Sequence, residues 1–170
     1  MDFFDLALKR YSVRKFDGRC VEEEKINKIL DAGCVAPTAK NIQPQKIYVI
    51  TGEALEKVKK CTHSHFDAPL NFLVCYDTNL CWVRSFDGKK SGDIDATIVT
   101  THMILEAAEL GIGSTWVMSF DPEAAKREFC LPDNIVPVCF LPMGYPAKDA
   151  APSERHTIYR DKNDIIEYIK

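Results

Sequence analysis

The sequence lacks the features of a membrane, secreted or nucleic-acid-coating protein. No apolar run approaches the roughly 18 residues that suggest a membrane span, and the first ten residues do not have the layout of a signal peptide. The net charge is -3, whereas a protein that coats nucleic acid normally carries a large excess of basic residues. We therefore expect a cytoplasmic protein that binds neither a membrane nor nucleic acid.

Paired cysteines and the common hydrolase motif are also missing. None of the seven cysteines belongs to a CxxC pair, so neither a thioredoxin-like site nor a zinc ribbon is indicated. Cys75 and Cys139 lie in apolar runs and are interpreted as buried hydrophobic residues. The run Cys61–His65 (CTHSH) has no second ligand cluster, and we predict no metal site. No GxSxG elbow supports hydrolysis by a serine nucleophile.

What is present fits one globular domain over residues 1–170. Hydrophobic residues make up 46% of the chain and charged residues 28%, which is typical of a folded protein. Periodicity and turn residues predict helices alternating with strands, and hence a layered structure of both. The predicted helices are 2–10, from Glu22 to before Pro37, 53–60, 94–110, from 121, and 164–169; the predicted strands are 46–50, 70–76, 114–118 and 136–143.

The longest predicted helix, 94–110, has apolar residues at helical spacing. We expect its buried face to carry Ile94, Ile98, Leu105 and Ala108. Gly111 and Gly113 end it; because they follow a helix and precede a strand, they form a turn rather than a dinucleotide-binding motif.

The segment Arg10–Arg14 (RYSVR) is the first candidate site. In an extended chain Arg10, Ser12 and Arg14 project to one side, because strand side chains alternate with period two. Two guanidinium groups and a hydroxyl on one side form a good phosphate site. A solvated basic cluster at the end of a helix is the alternative.

The segment Ala36–Pro44 (APTAKNIQP) is the second candidate. Two prolines bracket short polar residues, so the segment reads as a constrained loop between a helix and a strand. Asn41 and Gln43 each offer donors and an acceptor, which suits the polar edge of a heterocycle. An ordinary capped turn is the alternative.

Taken together and in order, the motifs resemble the nitroreductase family, in its short branch. R-x-S-x-R comes first and A-P-T-x-x-N-x-Q-P follows a helix. Gly111–Val117 (GIGSTWV) follows the long helix, Pro142–Pro146 (PMGYP) follows the last strand, and Arg155 comes late in the chain. The likeness spans nearly the whole sequence. Two positions depart from the commoner pattern: Tyr11 replaces an arginine and Gln45 a tryptophan.

The resemblance implies an α+β fold, a three-layer α/β/α sandwich with a mixed central sheet. It implies a homodimer that binds FMN in clefts between its subunits. Arg10, Ser12, Arg14 and Arg155 would hold the phosphate and ribityl chain. The partner subunit would contribute Pro37, Thr38, Ala39 and Asn41, and the flavin ring would lie along Trp116, Val117 and Met118.

The function implied by the resemblance is electron transfer from NADH or NADPH, through FMN, to a small acceptor such as a nitroaromatic or a quinone. The flavin supplies the redox chemistry, so no side chain is predicted to be catalytic. A flavin-binding module with little turnover, a carrier or a sensor, is the alternative. We interpret His156, beside Arg155, as a residue of the surface tail; a position near the cofactor phosphate is the alternative.

Overall fold

The computed structural model describes residues 2–170. A four-stranded sheet has the order β1-β2-β4-β3. Its strands are β1 (Gln45–Thr51), β2 (Leu70–Asp77), β3 (Gly113–Ser114) and β4 (Ile135–Gly144). The helices are α1 (Phe3–Lys9), α2 (Glu23–Cys34), α3 (Leu55–Cys61), α4 (Gly92–Glu109) and α5 (Pro122–Glu128). Short 3-10 turns cover Ala39–Asn41, Gly52–Ala54, Glu154–Thr157 and Lys162–Asp164.

The three strand pairings are all antiparallel. Strand β2 lies between β1 and β4, and its continuous apolar run is buried along nearly its whole length. A mixed sheet was predicted; among residues 2–170 the parallel pairing is one isolated bridge, between Ser12 and Ser114. The combination of helices with an antiparallel sheet makes the fold α+β.

Apolar side chains pack on both faces of the sheet. On one face Phe72 and Val74 contact a core with Ile29 of α2 and Met103 of α4. On the other, the alternate strand residues Leu73, Cys75 and Phe140 pack with Val58 of α3 and Ala125 of α5. Burial of each large apolar side chain contributes about 1.5–3 kcal/mol. Helices therefore cover the sheet from two sides.

The predicted buried face of α4 is wrong. Its buried residues are Gly92, Asp95, Ala96, Val99, Thr100, Met103 and Ala107, whereas Ile94 is 50% exposed and Leu105 is only partly buried. Helices α2 and α4 approach each other closely at Gly33 of α2. A Cβ added there would lie only 3.0 Å from Met103 Cγ of α4. Because α4 is apolar on more than one side, spacing alone did not identify the side that meets the sheet.

The third strand is shorter than the predicted 114–118. Strand β3 ends at Ser114, and Val117 forms an isolated bridge with Phe140. Between them the Thr115 N–H donates to the carbonyl oxygen of Pro142 (3.3 Å). Pro142 has no N–H to return a bond, and this interrupts the ladder.

The predicted helix at 164–169 is also wrong. The tail contains a 3-10 turn at Lys162–Asp164, and residues 165–170 are exposed and not helical. Ile165, Ile166 and Ile169 are 61%, 48% and 94% exposed, so they bury no continuous apolar face, and a helix this short is not stable without one.

Two further expectations concern burial and membrane association. Cys75 and Cys139 are buried as predicted, and burial raises the pKa of each thiol to about 12, so both are protonated at neutral pH. Among the described helices, none has the length and apolar character needed to cross a membrane.

Candidate functional site

The candidate site begins where α1 ends. The Arg10 N–H donates to the carbonyl oxygen of Leu6 (3.0 Å) and closes the helix, after which the chain is extended. The next residues lie along β3: the Val13 N–H donates to the carbonyl oxygen of Ser114 (2.9 Å). Gly113 permits this approach, because a Cβ there would lie 2.6 Å from Val13 Cγ2. Backbone pairing thus fixes the R-x-S-x-R segment.

The extended segment forms one wall of what we call the arginine groove. Arg10, Ser12, Arg14 and Arg155 all line this groove, whose volume is about 520 Å³. The structure therefore brings together the four residues that sequence assigned to the phosphate and ribityl chain. The groove is completed by Tyr11, Ser153, His156, Ile158 and Tyr159.

Contacts between the tail and the end of α1 hold Arg155 at the groove. Tyr11 Oη donates to the carbonyl oxygen of Ala150 (3.4 Å), and His156 Nε2 lies 3.0 Å from the carbonyl oxygen of Leu8. The His156 ring is partly buried and packs edge-on against Tyr11 at 6.2 Å. His156 therefore belongs to the tail, lines the arginine groove and fastens the segment that carries Arg155.

The guanidinium groups of the arginine groove are free to bind an anion. Within residues 2–170, Arg10, Arg14 and Arg155 form no ion pair. Arg14 Nη1 donates only to the carbonyl oxygen of Ser12, at 3.3 Å. Arg19, in contrast, is paired with Asp17 at 2.7 Å. Unpaired guanidinium groups that share one groove fit a phosphate group.

A second groove, the tryptophan groove, adjoins the first and shares Arg10 and Ser12 with it. Its volume is about 330 Å³, and Trp116 forms part of its wall. The indole Nε1 of Trp116 is buried without a hydrogen-bond acceptor among the described residues. Such a donor usually has a partner. The other lining residues are Thr101, Ile104, Leu105, Ser114 and Thr115.

Neither Val117 nor Met118 lines these grooves. Val117 is 4% exposed and packs in the core under α3 and α5. Met118 is 72% exposed and borders a separate depression formed by 59–63 and 119–121. Successive residues of an extended chain point to opposite sides, which turns Val117 away from Trp116 and into the core. Alternation does not separate Met118 from Trp116, but Met118 lies beyond the Val117–Phe140 bridge and outside both grooves.

The predicted contacts in the Pro37–Asn41 segment lie elsewhere in the protomer. Pro37, Thr38, Ala39 and Asn41 line neither groove. Pro37 and Asn41 are exposed, and Thr38 and Ala39 are partly buried. The Ala39 N–H donates to Asp95 Oδ1 at the start of α4 (2.9 Å). The structure thus divides the predicted site residues into two groups.

Sequence reasoning missed the contribution of α4 to the tryptophan groove. Thr101, Ile104 and Leu105 line it. The available signal was the second apolar stripe of α4, of which Leu105 was assigned to the core. An apolar stripe that does not pack on the sheet indicates a surface that lines a groove or contacts another molecule.

Comparison with known proteins identifies the class of protein to which this chain belongs. The sequence model of the Nitroreductase family matches residues 7–77 and 80–145, so the chain belongs to the nitroreductase family. A crystal structure of a nitroreductase family protein from Clostridium difficile 630 is similar over 100% of this chain and 99% of that one, with 45% identity and a TM-score of 0.94.

Two other relatives extend the comparison. A protein of Methanothermobacter thermautotrophicus, provisionally named an NADH dehydrogenase/NAD(P)H nitroreductase, is 32% identical over 158 residues, covering 88% of this chain and 80% of its own. A Staphylococcus epidermidis structure, provisionally named an NAD(P)H:FMN oxidoreductase, has a TM-score of 0.85. It covers 99% of this chain and 96% of its own, but at 19% identity it supports the fold alone.

Proposed function

We propose that this protein is an FMN-dependent oxidoreductase that takes electrons from NADH or NADPH and passes them to a small acceptor such as a nitroaromatic or a quinone. The observation that carries the proposal is the pair of connected grooves, anion-binding at one end and bordered by an indole at the other. Membership of the nitroreductase family and the names of its relatives point to the same chemistry.

FMN fits the residues of the two grooves. Its phosphate matches the unpaired guanidinium groups of Arg10, Arg14 and Arg155, and Ser12 and Ser153 add hydroxyl groups. Its ring matches the tryptophan groove, where Ile104 and Leu105 offer apolar surface. Trp116, which lines the same groove, would add aromatic surface beside the ring. No carboxylate lines either groove, so nothing there repels a phosphate.

The protein's own contribution to the reaction is binding and orientation. Bound flavin supplies the capacity to accept a hydride and to pass electrons on. The side chains of the two grooves would hold the phosphate and the ring in a fixed position, and close, aligned contact with a nicotinamide or an acceptor would account for much of the rate. No lining residue is assigned an acid or base role.

We further propose that the working unit is a homodimer. The loop with Pro37, Thr38, Ala39 and Asn41 would complete the site of the partner subunit, since these residues line neither groove of their own chain. Exposed apolar side chains support such an assembly: Phe3, Phe4 and Leu8 on α1 are 71%, 70% and 43% exposed.

We also propose, as properties of the family fold, the three-layer arrangement and the mixed sheet.

The cytoplasmic location also belongs to this proposal. It is supported by the cysteines, which are free throughout the part of the chain that the structure describes. Free thiols in this number suit a reducing compartment.

The proposal is tested by adding FMN to the purified, flavin-stripped protein and following the quenching of flavin fluorescence. Saturable binding with one FMN per chain is expected, together with oxidation of NADH or NADPH when a nitroaromatic or a quinone is supplied. Absence of FMN binding would contradict the proposal. Tight binding without turnover with any reductant would instead support the flavin-binding module.

A further inference from the structure

The loop that contains the second group of site residues has an unfavourable backbone. Lys40, Asn41 and Gln43 have φ values of 52°, 54° and 56°. Residues with a Cβ rarely adopt this left-handed region, and clusters of them persist only where the surroundings impose them. Something must therefore hold residues 37–43, which we call the strained loop, in this shape.

Hydrogen bonds inside the strained loop define its curvature but not its position. Thr38 Oγ1 accepts from the Gln43 N–H (3.0 Å), and Gln43 Nε2 donates to the carbonyl oxygen of Asn41 (3.1 Å). Among residues 2–170, the hydrogen bond that joins 38–43 to an element outside the loop is the one from the Ala39 N–H to Asp95 Oδ1, at 2.9 Å. Ala36 and Pro44 are buried at the two ends of the loop, and the hydrogen bond to Asp95 fixes the segment between them.

Asp95 is unusual for a residue that only packs. It is 2% exposed, in the first turns of α4, and has no cationic partner among the described residues. Its second oxygen, Oδ2, accepts from Ser91 Oγ at 2.6 Å. A buried carboxylate is costly unless both oxygens are hydrogen-bonded, and the positive end of the helix dipole further favours it here. Both oxygens are therefore committed, and the carboxylate is fixed in orientation.

We infer that Asp95 is a positioning residue for flavin binding: through Ala39 it sets the strained loop in the conformation that presents Asn41 to the cofactor. The inference rests on the proposed function. Asp95 itself lines neither groove, so it acts through the loop. Helix α4 also carries Thr101, Ile104 and Leu105 of the tryptophan groove, so one rigid element holds the loop and part of a groove.

The test compares Asp95→Ala with Asp95→Asn. Asp95→Ala removes the acceptor, and we expect FMN to bind 10- to 50-fold more weakly and the visible spectrum and midpoint potential of the bound flavin to shift. Asp95→Asn keeps an oxygen that accepts from the Ala39 N–H, and we expect affinity within about threefold of the wild type. Near-normal binding by Asp95→Asn would show that the loop requires a hydrogen-bond acceptor at this position rather than a negative charge.

Two further variants separate loop placement from general loss of stability. Ala39→Pro removes the donor instead of the acceptor, and Thr38 is already extended (φ -131°, ψ 161°), as a residue before proline must be. It should reproduce the effect of Asp95→Ala. Thr100→Val is the control, because it removes a buried hydrogen bond to the carbonyl oxygen of Ala96 on the same helix without touching the loop. It should bind FMN like the wild type.

The possible results distinguish failure of the Asp95 inference from failure of the proposed function. If the wild type binds FMN and both Asp95→Ala and Ala39→Pro bind it with unchanged affinity and spectrum, the inference is overturned and the proposed function stands. If the wild type binds no FMN, both are overturned. If Asp95→Ala does not fold, the decision falls to Ala39→Pro and Asp95→Asn: weak binding by the first and near-normal binding by the second support the inference.

Discussion

The arginine groove and the strained loop are held in place by different means. Backbone pairing with β3 fixes the groove segment through the Ser12–Ser114 bridge and the Val13–Ser114 hydrogen bond. The loop at 37–43 has an unfavourable backbone and one hydrogen bond to a buried carboxylate. The groove is thus preformed for an anion, whereas the loop, between buried Ala36 and Pro44, is joined to another element by one hydrogen bond among the described residues. Because the two regions do not meet in one protomer, we expect a complete site only where two chains combine.

The largest expected effect comes from separating the two regions between subunits. In a heterodimer of one Arg10→Ala chain and one Asn41→Ala chain, a site shared between subunits would be intact on one side and doubly substituted on the other. We expect half the wild-type number of FMN molecules to bind at wild-type affinity. The measurement is a fluorescence titration of heterodimers isolated with two affinity tags.

The corresponding homodimers are the controls for that experiment. Each should have two damaged sites and none of wild-type affinity. If the heterodimer also lacks any site of wild-type affinity, groove and loop serve one site within a single chain, and the proposed division between subunits is wrong.

Arg10→Ala tests the groove by itself. Arg10 lines both grooves, and losing its hydrogen bonds to a charged group should weaken FMN binding by roughly 1.5–3 kcal/mol, or about 10- to 150-fold. Lys15→Ala is the matched control, because Lys15 is a nearby cation that is paired with Asp149 at 2.7 Å and lines neither groove. Equal affinities of Arg10→Ala and the wild type would remove Arg10 from the phosphate site.

Gly113→Ala tests whether pairing with β3 holds the groove. The new Cβ would lie 2.6–2.9 Å from the side-chain atoms of Val13, so the extended segment must shift. Overpacking of this kind lowers the free energy of unfolding by about 1–3 kcal/mol, which urea denaturation would measure. Gly111→Ala is the comparison, since nothing lies within 4 Å of its Cβ and only its φ of +74° is unfavourable. An unfolding free energy of Gly113→Ala equal to that of the wild type would show that the Val13 contact is not limiting.

The smallest expected effect concerns the indole at the far end of the grooves. Trp116→Phe keeps an aromatic ring but removes the buried, unpartnered N–H donor. If the indole shapes the groove for the flavin ring, FMN affinity should fall by about 0.5–1.5 kcal/mol, the range for aromatic contacts. Unchanged affinity would remove Trp116 from the flavin site.

The sequence predicted the groove better than the features that place the loop. Arg10, Ser12 and Arg14 were predicted to share a side because strand side chains alternate, and the structure places them in one groove. Asp95 is one of two acids in the first turn of α4, and nothing in the sequence separates it from Asp93. Its pairing with Ala39 joins residues far apart in the chain, and no local pattern reports such a contact.

The errors in the fold also have physical causes. The face of α4 was wrong because the helix is apolar on more than one side, so only packing against α2 and the sheet decides which side is buried. The strand at 114–118 was predicted too long because Pro142, on the neighbouring strand, cannot donate to it. Pairing partners are a property of the fold rather than of the segment itself.

NAD(P)H-dependent flavin chemistry is tested most directly by an absorbance spectrum of the FMN-loaded protein without oxygen, before and after addition of NADH and of NADPH. We predict flavin bands that bleach with at least one reductant and return when a quinone or a nitroaromatic is added. Flavin bands that persist with both reductants would contradict the assignment as an NAD(P)H-dependent oxidoreductase. The absence of flavin bands after loading would contradict FMN binding itself.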